Sequence, residues 1–164
     1  MVKYIFSGIC LMLSLSLSAQ QTLEDINNDV WYNFMQAYQD LDASLFNKIH
    51  AEDVIRVPID GNIMLIGQEY KDQNLDNFNR WNQAQLKQKI EFSFLSRIQK
   101  GKWAHETGIY KLTRFSDSGA EAYYGKFNVT LKKINGFWKI FIDSDSNENG
   151  KIGEADFEKG DILK

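Results

Sequence analysis

The sequence predicts an α+β fold in which a curved antiparallel sheet, made of a short hairpin and a four-stranded meander, wraps around three N-terminal helices. Apolar residues recur at helical spacing in the first half of the chain, whereas in the second half they alternate with polar residues. Turn signals such as Lys100-Gly101 and Asn135-Gly136 separate the alternating segments. Because consecutive strands joined by short turns pair antiparallel, the helices must cover one face of the sheet.

The 164 residues are enough for one domain, and their composition is that of a globular protein. Hydrophobic residues make up 43% of the chain and aromatic residues 13%, which supplies a packed core and excludes a disordered or collagen-like chain. The chain has 19 Lys and Arg residues and 22 Asp and Glu residues, so its net charge is -3. No nucleic-acid partner is expected, because the chain lacks the basic excess that attracts phosphates.

Residues 1–20 have the pattern of a secretory signal peptide. Lys3 precedes an uncharged apolar run, and a small residue near its end places cleavage near Ala19 or Gln20. The run is shorter than the roughly 20 apolar residues of a spanning helix, so no membrane span is expected. Cleavage would also remove Cys10, the single cysteine. The mature chain is therefore predicted to be secreted or periplasmic and to fold without a disulfide.

Three helices are predicted before the meander. The first, over 22–41, carries apolar residues at helical spacing: Leu23, Ile26, Val30, Phe34, Ala37, Tyr38 and Leu41. The second is short, over 42–50, with Asp42 as its N-cap. The third covers 67–87, where aromatic and aliphatic residues again recur along one face.

The strands are predicted from β-rich composition, alternation and turns. The segments 52–59 and 62–66 form a hairpin around Asp60-Gly61, which is a strong turn signal. The meander follows over 88–99, 102–115, 120–134 and 137–143.

Several short sequence words occur in an order and spacing typical of one family. They are Asp53-Val54, Asp60-Gly61, Gly67, Gly108-x-Tyr110, Gly125-Lys126-Phe127 and Asn135-Gly136-Phe137-Trp138-Lys139-Ile140. With the order of elements, they make residues 22–143 resemble the nuclear transport factor 2 superfamily, and within it the SnoaL-like group of small secreted bacterial proteins. The resemblance implies a cystatin-like cone that encloses an apolar pocket. Members include ketosteroid isomerase, polyketide cyclases, dehydratases and proteins that only bind or dimerise, so the function stays open.

Four residues are candidates for the pocket: Arg56, Glu106, Tyr110 and Tyr123. Alternation places Glu106 and Tyr110 on the face of their strand that packs against the helices. A carboxylate there is a general acid or base with a pKa raised by burial, or the partner of Arg56 or Arg97, or a residue at the solvent-exposed rim of the pocket. Tyr110 and Tyr123 either donate hydrogen bonds to a ligand or are ordinary core tyrosines.

The segment 145–156 resembles the calcium-binding loop of an EF-hand. Its proposed ligands and turn glycine are Asp145, Asn147, Asn149, Gly150, Lys151 through its carbonyl, and Asp156. Aspartate at the last position is typical of the dockerin-type variant. Residues 144–164 are therefore predicted to form a calcium loop and a short helix over 154–162, with an affinity of about 10⁻⁴–10⁻³ M. The alternative is a polar turn, because Asp, Asn, Ser and Gly all favour turns.

Three functions agree with these observations. The first is a secreted small-molecule-binding domain with a pocket for a hydrophobic ligand, no organic cofactor and a weak calcium loop. The second is an isomerase, cyclase or dehydratase that uses Glu106 with Tyr110 or Tyr123. The third is a calcium-stabilised interaction protein that forms a homodimer through the outer face of the sheet. We favour the binding domain, because the chain shows no nucleophile triad, phosphate-binding glycine loop or dinucleotide fingerprint.

Overall fold

Helices packed against one curved sheet confirm the predicted α+β class. The computed structural model of the protein describes residues 20–164, so the signal peptide predicted over 1–20 lies outside the described residues except for Gln20. Within the described part of the chain, no helix has both the length and the apolar character that crossing a membrane requires.

The N-terminal helix α1 covers 20–40 of the described chain. A π-helical turn at Asn27–Trp31 interrupts it, and regular α-helix resumes at Tyr32–Asp40. The helix ends at Leu41, whose left-handed backbone has a φ of 54°. Its buried face consists of apolar residues that the helical spacing predicted: Ile26, Val30, Phe34 and Ala37.

Four elements follow in the predicted order: α2 (Ala43–Lys48), β1 (His50–Pro58), β2 (Leu65–Ile66) and α3 (Gln68–Gln83). Asp42 is the N-cap of α2, and its Oδ1 accepts a hydrogen bond of 2.9 Å from the backbone N–H of Leu45. This bond satisfies one of the free amides at the start of the helix. A 3₁₀ turn at Ile59–Gly61 connects β1 to β2, which pair antiparallel.

The meander consists of β3 (Lys87–Lys100), β4 (Trp103–Ser116), β5 (Gly119–Ile134) and β6 (Phe137–Ser146). Each strand pairs antiparallel with the next, as predicted. β6 is longer than the predicted 137–143 and reaches Ser146. Asp145 is therefore part of the sheet and not of the loop that follows it.

The sheet is mixed rather than wholly antiparallel. Its strand order is β2-β1-β6-β5-β4-β3 with one further short strand beyond β3, and β1 pairs with β6 in parallel. The sequence did not indicate this contact, because β1 and β6 are separated along the chain by a helix and three strands of the meander. The parallel pairing closes the sheet around the helices and sets Arg56 beside Asp143.

The end of the chain differs from the predicted helix over 154–162. A single helical turn, α4 (Glu154–Phe157), is followed by the short strand β7 (Asp161–Ile162), which pairs with β3 at Ser93 and Phe94. Gly160 makes this approach feasible, since a Cβ at that position would lie 2.7 Å from the carbonyl oxygen of Phe94. The tail thus adds a strand to the outer edge of the sheet, a contact that local periodicity does not encode.

The core lies between the helices and the concave face of the sheet, and aromatic rings fill much of it. Trp31, Phe78 and Trp138 are among the largest side chains that are fully buried. Gly108 lets the ring of Phe127 lie across β4, because a Cβ there would come within 2.6 Å of that ring. Packing against Phe127 therefore requires the glycine of the Gly108-x-Tyr110 word.

Candidate functional site: a pocket with an aromatic interior and one ionic wall

A cavity of about 110 Å³ lies between the helices and the sheet, with lining residues from both. Most of its lining is aromatic and comes from α1, α2, β3 and β5: Trp31, Phe34, Tyr38, Phe46, Phe92 and Phe127. For scale, an engineered apolar cavity of about 150 Å³ holds one benzene molecule. The pocket is smaller than that cavity, so its size suits a molecule no larger than a single ring or a short apolar chain.

Helical spacing explains how α1 supplies three of these rings. Trp31, Phe34 and Tyr38 are three and four residues apart, so they lie on one face of the helix. The centroid of the Trp31 ring lies 4.7 Å from that of Phe92 and 5.3 Å from that of Phe127. These tilted contacts are favourable aromatic geometries and hold the rings in place without a ligand.

One wall of the pocket is ionic and joins β1 to β6. The Nη1 atom of Arg56 lies 3.2 Å from Oδ1 of Asp143, and its Nη2 atom donates a hydrogen bond of 2.6 Å to Oδ1 of Asp145. All three side chains line the cavity and are largely buried, with side-chain exposures between 10% and 22%. Buried charges need such pairing, because an unpaired charge in an apolar site is strongly unfavourable.

A β-bulge in β6 turns both aspartates inward. Leu131 pairs with Ile140 and Thr130 with Ile142, so Phe141 is an extra residue on β6. The inward face of β6 therefore carries Ile140 before the bulge and Asp143 and Asp145 after it. A one-residue insertion reverses which alternate residues face the core. Strict alternation from Ile140 would have pointed both carboxylates outward, and for this reason the sequence did not identify Asp143 as a pocket residue.

Burial and charge set the ionisation of this wall. Burial raises the pKa of Asp145, and Arg56 opposes that shift only in part. Burial also raises the pKa of Tyr110, whose hydroxyl hydrogen-bonds to Asp145. Burial by itself lowers the pKa of Arg56, but Asp143 and Asp145 together keep it above its ordinary value. The wall thus combines a permanent cation with a carboxylate that takes up a proton more readily than an exposed aspartate.

Tyr110 faces the pocket because Gly125 lies opposite it on β5. A Cβ at Gly125 would lie 2.4 Å from the Tyr110 hydroxyl oxygen and 2.6 Å from the ring. The glycine of the Gly125-Lys126-Phe127 word therefore makes room for this tyrosine.

Of the four predicted pocket residues, Arg56 and Tyr110 line the cavity, whereas Glu106 and Tyr123 do not. Tyr123 lies near the start of β5 and is 41% exposed. Glu106 faces the core, as predicted, but lies behind Trp31.

The buried Glu106 is held by two donors. Its Oε2 accepts a hydrogen bond of 2.6 Å from the Trp31 indole, and its Oε1 accepts one of 2.8 Å from Nε of Arg97. Arg97 also donates from Nη2 to Oδ1 of Asn27, at 2.7 Å. Burial raises the pKa of Glu106 against the opposing effect of Arg97. This geometry matches the ion-pair alternative with Arg97 and positions the Trp31 ring that lines the pocket.

The predicted calcium ligands have other partners. Asp145 contacts Arg56, Oδ1 of Asn147 accepts a 3.1 Å hydrogen bond from the N–H of Gly150, and Asp156 accepts from the N–H of Gly153 and from Lys159. Asn149 and Lys151 lie in the exposed turn between β6 and α4. Among residues 20–164, no group of three or more His, Cys, Asp or Glu side chains is placed to hold a metal ion.

Comparison with known proteins identifies the fold. No protein-family model matches the sequence, and no curated protein matches it either. An NTF2-like protein with a cystatin-like fold from Novosphingobium aromaticivorans is 12% identical, with a TM-score of 0.65 over 88% of this chain and 92% of that one. An NTF-2 like protein of unknown function from Shewanella oneidensis is 15% identical, with a TM-score of 0.63 over 76% of this chain and 98% of that one.

A third similar structure is a single-residue variant of a protein of unknown function from Mycobacterium tuberculosis. It is 13% identical, with a TM-score of 0.66 over 79% of this chain and 74% of that one. At such low identities the likeness shows the fold alone. The helices, the curved sheet and these similarities together show that the chain has the nuclear transport factor 2-like, cystatin-like fold.

Proposed function

We propose that the protein binds one small, largely apolar molecule in the aromatic pocket. The observation that supports this proposal is a cavity of about 110 Å³ with an aromatic interior and a single polar wall at Arg56, Asp143 and Asp145. Pockets that bind small molecules are typically apolar, with a few placed polar groups that orient the ligand. The same fold serves many functions, so the site and not the fold supports this proposal.

Calorimetry with toluene as the probe tests the proposal. Leu112 lines the cavity, and Leu112→Phe should fill it and abolish toluene binding. Leu95 is exposed on the neighbouring strand β3, so Leu95→Phe is a matched control that should leave binding unchanged. Circular dichroism of both variants checks that they are folded. Failure of the wild-type protein to bind toluene or benzene would overturn the proposal.

Catalysis is the second candidate function. The observation that favours it is the hydrogen bond between Tyr110 and Asp145 in the pocket wall. A carboxylate whose pKa is raised by burial can act as a general acid or base, and a tyrosine hydroxyl beside it can stabilise an oxyanion. An isomerase or dehydratase would then use these two residues in place of Glu106. Deuterium exchange next to the carbonyl of a small cyclic enone, lost in Asp145→Asn, would support catalysis. Exchange at the rate of buffer alone would argue against it.

Export stays a prediction of the sequence. We infer that residues 1–20 direct the chain out of the cytoplasm and are cleaved near Ala19 or Gln20. Intact mass measurement of the protein from its own cells would show the cleaved species in the extracytoplasmic fraction. A full-length mass there would contradict cleavage.

Calcium binding by the 145–156 loop also stays a prediction. Binding through Asp145 requires this carboxylate to exchange Arg56 for the ion. Calorimetry after chelator treatment, with magnesium as a control, should then show saturable heat that disappears in Asp156→Ala. No heat at several times the expected affinity of about 10⁻³ M would identify the segment as a polar turn.

Self-association is proposed through the part of the outer sheet face that the tail leaves open. Ile98, Trp103 and Phe137 are exposed there, and the Trp103 ring packs on Phe141 with centroids 5.6 Å apart. Exposed apolar patches often mark protein contacts. Light scattering should show a dimer that Trp103→Lys converts to a monomer. A wild-type monomer at every concentration would overturn the proposal.

A further inference from the structure

The ionic wall of the pocket carries more negative charge than positive charge. Arg56 is the one cation among the side chains that line the cavity, whereas Asp143 and Asp145 are two anions. Each aspartate uses its Oδ1 atom to contact a different Nη atom of Arg56. Both ends of the guanidinium are thus already occupied by carboxylates of the protein.

A carboxylate ligand fits this wall poorly. It would need to displace one aspartate from Arg56 while it lay next to the other aspartate, and like charges in a low-dielectric site repel strongly. An ionised carboxylate offers only acceptors, and the two aspartates together have four oxygens. Arg56 contacts one oxygen of each aspartate, and the Tyr110 hydroxyl also hydrogen-bonds to Asp145. A ligand that brings donors can use the acceptors that these two residues leave open.

The aromatic interior favours the same kind of ligand. Trp31, Tyr38, Phe92 and Tyr110 all line the cavity beside the ionic wall. Aromatic rings attract cations through their faces, and Trp does so most strongly. The charge of Asp143 also reaches Tyr70, a residue of α3 that lines the cavity. After burial, this charge is the largest cause of the raised pKa of Tyr70, so Asp143 is not fully neutralised by Arg56.

We propose that the ligand is a small aromatic or cyclic amine, with its ring among the aromatic side chains and its ammonium group against Asp143 and Asp145. This inference rests on the proposed function, because it assigns a ligand class to the same pocket. An ammonium carries three donors and one positive charge, which complements the acceptors and the excess negative charge of the wall. Net charge at the wall becomes balanced when the amine is bound.

Calorimetry with toluene, benzyl alcohol, benzylamine and benzoate at neutral pH tests this selectivity. The four probes share a ring and differ in charge and donors. Benzylamine should bind about tenfold more tightly than toluene, because its ammonium group can form charge-assisted hydrogen bonds to the carboxylates of the wall. Benzoate should bind most weakly of the four.

The outcomes separate this inference from the proposed function. Equal affinities for toluene and benzylamine, or tighter binding of benzoate, would overturn the amine class while the apolar pocket stands. No binding of any probe would overturn both proposals.

Two variants locate the selectivity. Asp145→Asn should remove most of the advantage of benzylamine over toluene, and Asp143→Asn provides the same test if the first variant does not fold. Asp117 lies in the exposed turn between β4 and β5, so Asp117→Asn makes the same change in net charge far from the cavity lining. It should leave all four affinities unchanged. Equal loss of benzylamine binding in Asp117→Asn and Asp145→Asn would assign the preference to the overall charge and overturn the inference.

Discussion

Two ionisable residues in the core, Glu106 and His50, avoid an unpaired buried charge in different ways. Glu106 is fully buried and keeps a cation, Arg97, at 2.8 Å. His50 is also buried, but it packs against the rings of Phe46 and Tyr70, and burial lowers its pKa to about 3. One group is thus stabilised by a partner, and the other by remaining neutral.

Removal of Arg97 should destabilise the fold, because the buried Glu106 carboxylate would lose its charged partner. We expect Arg97→Met to lower the free energy of unfolding by about 3–5 kcal/mol, because it leaves a buried charge without its partner. Adding Glu106→Gln should recover more than half of that loss, since the amide is neutral and can still accept from Trp31. Urea denaturation measures both variants. A double variant no more stable than Arg97→Met would show that the ion pair is not what matters at this position.

His50 should make the fold sensitive to mild acid. Its Nδ1 lies 2.8 Å from the carbonyl oxygen of Phe46, and its buried Nε2 has no hydrogen-bond partner within residues 20–164. Folding lowers the pKa of His50 from 6.5 to about 3. Between these two pH values, His50 is therefore protonated in the unfolded chain and neutral in the folded chain. Stability is therefore complete above pH 6.5 and falls as the pH drops toward 3.

Between pH 6.5 and about pH 3, His50 should lower the free energy of unfolding by about 1.4 kcal/mol for each unit that the pH falls. His50→Gln should remove this component from urea denaturation curves recorded between neutral and mildly acidic pH. His105 is exposed on β4, and His105→Gln should keep the full wild-type slope. Identical slopes for the wild type and His50→Gln would refute the assignment.

At the scale of elements, two glycines and one bulge shape the pocket. Gly108 and Gly125 make room for Phe127 and Tyr110, and the extra residue Phe141 turns Asp143 and Asp145 inward. These features act on whole strands, because each changes where a neighbouring strand places its side chains.

Gly125→Ala should push Tyr110 out of the pocket wall. The added methyl would overlap the tyrosine ring, and overpacking of this kind costs about 1–3 kcal/mol. We expect weaker binding of the benzylamine probe together with the loss of stability. At Gly61 the same methyl would meet only ordinary contacts of 3.7 Å or more, so Gly61→Ala is the control and should change neither property. Unchanged binding in Gly125→Ala would show that Tyr110 does not contribute to the site.

The C-terminal tail should contribute to stability from the outer face of the sheet. Phe157 of α4 is buried, and its ring packs near Tyr124 and Lys111 while Lys111 forms a 2.6 Å ion pair with Glu154. We expect Phe157→Ala to lower the free energy of unfolding by about 3 kcal/mol, as for other buried phenylalanines. Phe115 at the end of β4 is exposed and lies outside the proposed association surface, so the matched change Phe115→Ala should cost about 0.5 kcal/mol or less in urea denaturation. Equal costs would mean that the tail does not pack on the sheet in solution.

At the scale of the whole molecule, the pocket exists because distant segments meet. Its lining comes from all three N-terminal helices and from β1, β3, β4, β5 and β6. The ionic wall needs β1 and β6 to be neighbours, with Arg56 in register with Asp143. Aromatic residues at local spacing supply the interior, but only the closed sheet encloses them and brings the charged residues to one side.

Local patterns in the sequence were sufficient to predict the class of the fold, the order of the elements from α1 to β6, the Asp42 cap, the buried face of α1 and the antiparallel meander. All of these follow from local periodicity, capping and turn chemistry, which act within a few residues. The sequence also pointed to Arg56 and Tyr110, which line the cavity.

Four features could be seen only in the folded chain: the parallel pairing of β1 with β6, the bulge at Phe141, the choice of Arg97 as the partner of Glu106, and the path of the tail along β3. These features depend on which distant strands meet and in what register. A shift of one residue in register exchanges the two faces of a strand. Asp145 illustrates the difference: its spacing resembles a calcium loop, whereas its place after the bulge in β6 makes it part of the pocket wall.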